Sequence, residues 1–414
     1  MSTERASCPF TNKTENSNSV RQNIPNPFIR RPTRTVGNDI PTIPTRYFMK
    51  FKDIDQLLSK TEMSNKQSFN VFFDVKGIVV GLYTKEDVLK YIKDCKQFGD
   101  YYRYARSVIA LANHWSRYFK KRNIDFNLVF FSESGDSMYH RKLYSKYKAN
   151  RKISKLKVNG DHLEDIEAII DKNIEILEKG FNAIPNCYYF HLVHLESDFI
   201  PHFVIKHLEL DKDPSTCNII LSNDKDLLQT VSRNSIQILF DKKSKEYIPV
   251  TYGDIREGFV KFRGVTKTTN MVLNPLSLPF ILATLGDSED GVPGIKGIGK
   301  VALNDFLEEG YRLGVFNSNY TWSLDTIKEK LSSIDHKVSR KILENYDDFV
   351  TYFHLTSFDS LISKLSINKL NYITGVINKE PTVNINTVTA LTEYFHKICK
   401  DKSIYSSLIP LATE

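Results

Sequence analysis

Five short apolar runs, FNVFFD (69–74), FNLVFFS (126–132), YYFHLVH (188–194), NIILS (218–222) and SIQILF (235–240), set the narrowest limits on how this chain can fold. Each has strand length and is rich in β-branched or aromatic residues, which fit a pleated surface. Between them lie helical patterns. Tyr102, Ala105, Val108, Ile109, Ala112, Trp115 and Phe119 share one helix face, as do Leu163, Ile166, Ile170, Ile174 and Leu177. Because the runs are nearly continuous rather than alternating, both faces of each strand must be covered. Such strands separated by helices predict an α/β fold with a mainly parallel central sheet flanked by helices.

Residues 1–45 are rich in Ser, Thr, Asn and Pro, with Arg21, Arg30, Arg31 and Arg34, and read as a disordered basic tail. Such a tail attracts polyanions or is an inert extension. The α/β core is expected over 46–275, and a helical subdomain over 276–414, where strand signals thin out and the last 50 residues are ambiguous. Lys and Arg outnumber Asp and Glu by 57 to 49, a balance that favours nucleic acid or anionic surfaces only if the charge is unevenly spread. Cys8, Cys95, Cys187, Cys217 and Cys399 show no C-x-x-C spacing, which argues against zinc or a disulfide framework and for a reducing compartment. With no membrane-length apolar run and no signal-type N-terminus, a cytoplasmic protein without membrane partners is expected.

Acids follow the strands. The first run ends in Asp74, the second runs into Glu133, the third leads to Glu196 and Asp198, and the fourth to Asp224 and Asp226. In an open α/β sheet the C-terminal strand ends form the ligand crevice, so these carboxylates are expected to converge. Taken singly, an acid at a strand end reads first as a helix cap or turn residue. Glu196 is also readable as a solvated helix N-terminus, and Asp136 replaces Glu133 if the second strand runs longer. Four strands ending alike point to a cation site, and hard oxygens without clustered histidines suit Mg²⁺ or Mn²⁺. Two such ions about 3.5 to 4 Å apart would suit phosphodiester cleavage.

Charge is concentrated in HRKLYSKYKANRKISKLKVNG (140–160), where Arg141, Lys142, Lys146, Lys148, Arg151, Lys152, Lys155 and Lys157 have no acid among them. Tyr139, Tyr144 and Tyr147 interleave. Basic charge with aromatic faces is the profile of a single-strand binding element, the alternative being a solvated face; Lys146, Tyr147 and Lys152 are candidate contacts. A second candidate interface is GDSEDGVPGIKGIGKVAL (286–303). Its IKGIGKVA segment has the helix-hairpin-helix pattern, in which Gly294, Lys296, Gly297, Gly299 and Lys300 would meet phosphates without reading bases. A tight connection that touches nothing is the other reading.

Together YKANR (147–151), SNDKDLLQ (222–229) and GDSEDGVPGIKGIGKVA (286–302), with FFD at the first strand and LESD at 195–198, resemble the 5′ nuclease superfamily. That family comprises phage 5′-exonuclease and RNase H proteins, the 5′-nuclease domain of DNA polymerase I and flap endonucleases. The similarity spans roughly 68–310, in the family's order. It implies metal-ligand roles for Asp74, Glu133, Glu196, Asp198, Asp224, Asp226, Asp287 and Asp290. It further implies a helical arch about 139–180 and phosphate-directed roles for Lys148, Arg151 and, more loosely, Arg141. A potassium ion at the hairpin is another expectation. The implied activity is Mg²⁺-dependent, structure-specific 5′-to-3′ exonuclease or flap endonuclease cleavage, removing RNA primers or 5′ flaps. Substrates would be DNA with a 5′ flap, a nick or an RNA-DNA hybrid. A monomer with partners at a replication fork is the corresponding expectation.

The chain departs from the pattern with Glu133 for Asp, Val75 for Gly, and Phe199 for the last acid of E-A-D-D. A catalytically silent junction-binding relative is therefore an alternative. A haloacid dehalogenase-type phosphatase, suggested by FFDVKG, needs an acid where Lys76 stands.

Overall fold

The computed structural model describes residues 49–61, 63–77, 102–149, 163–241, 246–256, 259–262, 265–268, 275–316, 323–379, 393, 395–397 and 402–413. The tail and residues 150–160 of the basic stretch, Arg151 and Lys152 among them, lie outside the described residues.

Strands β1 (Ser68–Asp74), β2 (Asp125–Ser134), β3 (Cys187–Val193), β4 (Thr216–Leu221) and β5 (Ser235–Asp241) pair in parallel in the order β3-β2-β1-β4-β5. These are the five apolar runs. An antiparallel edge strand, β6 (Glu246–Val250), was not legible because Pro249 interrupts it; an edge tolerates a missing ladder donor. A short hairpin of β7 (Phe259–Phe262) and β8 (Val265–Thr268) follows.

Both faces of the sheet are covered, as nearly continuous apolar strands require. Phe69, Val71 and Phe73 of β1 pack with Val108, Trp115, Leu177 and Phe181 of the helices Arg103–Lys120 and Leu163–Asn182. Phe72, of opposite parity, joins Val129, Phe131 and the helix Ile200–His207 on the other side. A third core, around Phe280, Phe306 and Phe349, is built by the helices Leu278–Leu285, Lys300–Arg312, Leu324–Ser332, Lys337–Glu344 and Tyr346–Thr356. Helices past residue 357 return to the sheet. In Ile367–Ile377, Tyr372 Oη accepts the His191 N–H of edge strand β3 at 3.1 Å, and Asn113 donates to the Ser407 carbonyl of Lys402–Thr413 at 2.9 Å.

One polar element crosses this apolar interior. Asn127 donates to Asn70, and Asn70 to Asn218, both at 3.0 Å, so three buried amides on neighbouring strands satisfy one another. A slip in register would strand each amide without a partner, so the ladder fixes strand alignment.

The sheet order places the crossover from β1 to β2 on one side and β4 on the other. The carboxyl ends of β1 and β4 therefore bound the switch-point crevice, where ligands bind in such sheets.

Candidate active site

Asp74 ends β1 at the switch point. Its Oδ1 accepts the Gly77 N–H at 2.7 Å and its Oδ2 accepts the Ser222 hydroxyl, beyond β4, at 3.0 Å. A Cβ on Gly77 would lie 2.1 Å from Asp74 Oδ2, so glycine leaves the room that the carboxylate fills. On β2, which runs to Ser134, Glu133 Oε1 pairs with Lys76 Nζ at 2.6 Å and Oε2 accepts the Ser197 hydroxyl at 2.6 Å. Although the strand is longer than its apolar run, Glu133 and not Asp136 joins the acids. Asp136 pairs with Arg141 at 2.9 Å on the surface, so the Arg141 guanidinium is engaged by a carboxylate outside the cluster.

After β4, Asp224 Oδ1 accepts the Asp226 N–H at 2.9 Å and so opens the 3-10 turn Lys225–Thr230. This turn lifts Asp226 toward the loop 286–292. There Asp287 and Val292 exchange backbone hydrogen bonds of 2.8 Å, closing the loop with Asp290 inside it. Oxygens of Asp226, Asp287 and Asp290 lie within 4.8 Å of one another. Lys225 Nζ pairs with Asp287 at 2.8 Å. Asp226 Oδ1 is buried without a hydrogen-bond partner among the described residues.

Glu196 is held by the Ser137 hydroxyl at 2.7 Å, the Tyr147 hydroxyl at 3.0 Å and Lys148 Nζ at 2.5 Å. Lys148 has φ +52°, a conformation that non-glycine residues rarely adopt, and its N–H donates to the Asp290 carbonyl at 2.8 Å. That strained backbone places the ammonium 3.5 Å from Asp290 as well as beside Glu196. Tyr147 corrects the expectation of a base-stacking residue. Its ring is 2% exposed and stacks on His140 at 4.8 Å, while its hydroxyl donates to Glu196 and, at 3.1 Å, to Asp290. Tyr144 packs edge-on against Tyr352, and Lys146, an expected contact, is exposed.

The electrostatics divide the acids. Burial, with the charges of Glu133 and Asp224 adding to it, pushes Asp74 up to about 7 against the opposing Gly77 N–H and Ser222 hydroxyl. Burial, then neighbouring carboxylates led by Asp224, holds Asp198 and Asp226 well above the usual carboxylate range. For Glu133 burial is outweighed by the Lys76 ammonium, and for Glu196 by Lys148, so both sit below that range. Carboxyls that resist ionisation because of neighbouring carboxylates become a coordinating set when a cation enters. The donors here are hard oxygens, the chemistry of Mg²⁺ or Mn²⁺.

A cavity of about 20 Å³, room for one water, is bounded by His140, Tyr147, Glu196, Asp198 and Asp226 on its polar side. Phe199, fully buried, forms part of its apolar wall, so the position that carries an acid in the E-A-D-D pattern is here given to packing.

Beyond the acids, residues 286–299 connect the helices Leu278–Leu285 and Lys300–Arg312. A Cβ on Gly294, whose φ is +72°, would lie 2.4 Å from the Gly286 nitrogen, so Gly294 serves the close approach of the two arms and not an outward contact. Lys296, Gly297, Gly299 and Lys300 are exposed. Lys341 Nζ donates to the Gly297 carbonyl at 2.8 Å, setting a cation from the protein at the hairpin where potassium was expected.

No protein-family model matches the chain. It is 25% identical over 232 residues to a DNA polymerase I of Caldicellulosiruptor bescii, covering 55% of this chain and 24% of that protein. Over 152 residues it is 30% identical to a 5′-3′ exonuclease of Aquifex aeolicus, covering 36% of this chain and 46% of that protein. The chain is related to the 5′ nuclease superfamily. It spans less than half the length of either relative. A structure of T5 5′-exonuclease with bound zinc aligns over 82% of this chain and 99% of that one, at 14% identity and a TM-score of 0.43. Among the described residues no helix is long and apolar enough to cross a membrane.

Sequence reasoning missed Lys76 and Lys225 as partners of the acids, and Ser137, Ser197 and Ser222 as their donors. The available signal was proximity: Lys76 stands two residues after Asp74, and Lys225 lies between Asp224 and Asp226.

Proposed function

We propose that this chain is a divalent-metal-dependent 5′ nuclease that removes RNA primers or 5′ flaps from duplex DNA, using Mg²⁺ with Mn²⁺ as a substitute. The observation that carries the reading is the Asp226, Asp287 and Asp290 triad, closely spaced and with a buried, unpartnered Asp226 oxygen. Asp226, Asp287 and Asp290 would hold the ion, which supplies Lewis-acid activation of water and neutralises phosphate charge.

The remaining tasks fall to the chain. Lys225 and Tyr147 fix the orientations of Asp287 and Asp290 through their ion pair and hydrogen bond. Lys148 keeps a positive charge at the acids' edge, where phosphate charge develops during cleavage. Lys296 and Lys300, with the backbone N–H groups that open the helix at Gly299, would hold duplex phosphates, and Arg151 and Lys152 would meet the 5′ strand. With the Lys341 ammonium at Gly297, this grip does not call for potassium. The chain would act as a monomer where DNA is replicated, in the cytoplasm or an equivalent compartment, alongside replication-fork proteins.

The test is a 5′-labelled flap and an RNA-DNA hybrid incubated with Mg²⁺, beside an Asp226→Ala variant. Cleavage by the native chain and its loss in the variant are expected; equal cleavage by both sinks the assignment. The silent-relative reading draws on the lysine pairs at Glu133 and Glu196 and on Phe199. Junction binding without cleavage in any divalent metal would favour it.

A further inference from the structure

The geometry points to a site that holds one tightly bound divalent ion, with Lys76 acting as the built-in counter-ion of the other half of the carboxylate cluster. This rests on the metal reading of the site and concerns how its acids share their work.

The acids fall into two groups by what their oxygens already do. In the half formed by Asp226, Asp287 and Asp290, Lys225 and the Glu289 N–H hold Asp287 and the Tyr147 hydroxyl holds Asp290, yet three oxygens come within 4.8 Å of one another and Asp226 Oδ1 accepts nothing. In the half formed by Asp74, Glu133, Asp198 and Asp224, protein donors have taken most of the oxygens. Asp74 uses both, on Gly77 and Ser222, and Asp224 Oδ1 accepts the Asp226 N–H. Glu133 uses both, on Lys76 and Ser197. Among the described residues no second trio of ligand atoms comes as close.

Lys76 is placed for this by its position in the chain. It stands two residues past Asp74, in the turn capped by that carboxylate, and its ammonium reaches across to the end of the neighbouring strand β2. One ammonium carries half the charge of a divalent ion, and its three donors satisfy carboxylates without a coordination shell. Phe199 removes a further oxygen from this half and fills its place with a buried ring. The Lys76 pair therefore stands in for a second cation.

The test counts bound Mn²⁺ in the absence of DNA, by titration calorimetry and by the paramagnetic signal of free ion. The native chain should bind one ion at least tenfold more tightly than any further ion. Lys76→Met, which frees Glu133, should gain a second site, whereas Lys76→Arg should retain one, and its normal melting would exclude misfolding as the cause. Asp226→Asn should lose the tight site. Two ions of comparable affinity in the native chain, or one in Lys76→Met, would overturn the inference while leaving the metal reading intact. No bound ion in the native chain would overturn both.

Discussion

Removing metal should make this protein less stable as the pH rises toward neutrality, and Asp74 is the place to measure it. Its carboxyl lies at about 7 in the folded chain against an ordinary 3.8, so folded and unfolded states differ in bound protons between those values. The folded state binds more protons in that window, so stability from this group is complete below about pH 4 and is lost as the pH passes 7. A shift of about three units corresponds to about 4 kcal/mol, of which about 2 falls between pH 5 and 7. Asp198 and Asp226 are raised for the same reason and add in the same direction. Glu133 and Glu196 are lowered, so their contribution is lost only as the pH falls below their ordinary 4.5, outside this window. The buried His140 and His202 are lowered too, and favour folding as the pH rises through the histidine range. A comparison with Asp74→Asn removes these opposing terms. Urea unfolding in EDTA at pH 5, 6, 7 and 8 should show the native chain losing stability relative to Asp74→Asn. Saturating Mg²⁺ should shrink the difference in slope, because a cation among the acids offsets the carboxylate charge that helps hold Asp74 up. Parallel pH profiles for the two proteins in EDTA would refute the reasoning.

Gly77→Ala should lower cleavage at least tenfold while leaving tight Mn²⁺ binding and the melting temperature close to native, because the added methyl displaces the Asp74 carboxylate rather than the core or the Asp226, Asp287 and Asp290 oxygens. Asn70→Ala should destabilise the fold by about 3 kcal/mol in urea at unchanged m, since it leaves the Asn127 donor and the Asn218 acceptor buried and unpaired. Lys341→Met should weaken duplex DNA binding several-fold for all sequences and make its salt dependence shallower by about one unit, with Lys341→Arg close to native.

Much of the fold was legible because both-face burial writes itself into sequence as unbroken apolar runs, and all five parallel strands carry one. β6 carries no such signal, since an edge strand with Pro249 is stabilised by its neighbour and not by its own composition. Asp74, Glu133, Asp198, Asp224 and Asp226 were legible because strand-end carboxylates converge by topology, whereas Asp287 and Asp290 follow no strand and were read only from the resemblance. Their partners were not, because a lysine near an acid is ordinary surface composition, and nothing local states that the ammonium of Lys76 or Lys225 turns inward. Tyr147 was misread for the converse reason. Within a basic run an aromatic ring resembles an exposed stacking face, but the packing that buries this one comes from residues far along the chain, and its hydroxyl answers to Asp290.

That contact, with its backbone neighbours, explains how two separate motifs become one device. The Lys148 N–H is tied to the Asp290 carbonyl, and a Cβ on Gly291 would lie 3.1 Å from the Lys146 carbonyl, so residues 146–148 and the DGVPG loop share a backbone surface. Asp287 and Asp290 lie at the opening of the same connection whose far end presents Lys296 and Lys300. Acids and exposed lysines are thus separated by a short loop closed by the Asp287–Val292 bridge and by the approach of Gly286 and Gly294. The span between them cannot lengthen without breaking those contacts. A duplex held at the hairpin would meet the carboxylates at a fixed distance, which is what cleavage at a defined position from a junction requires.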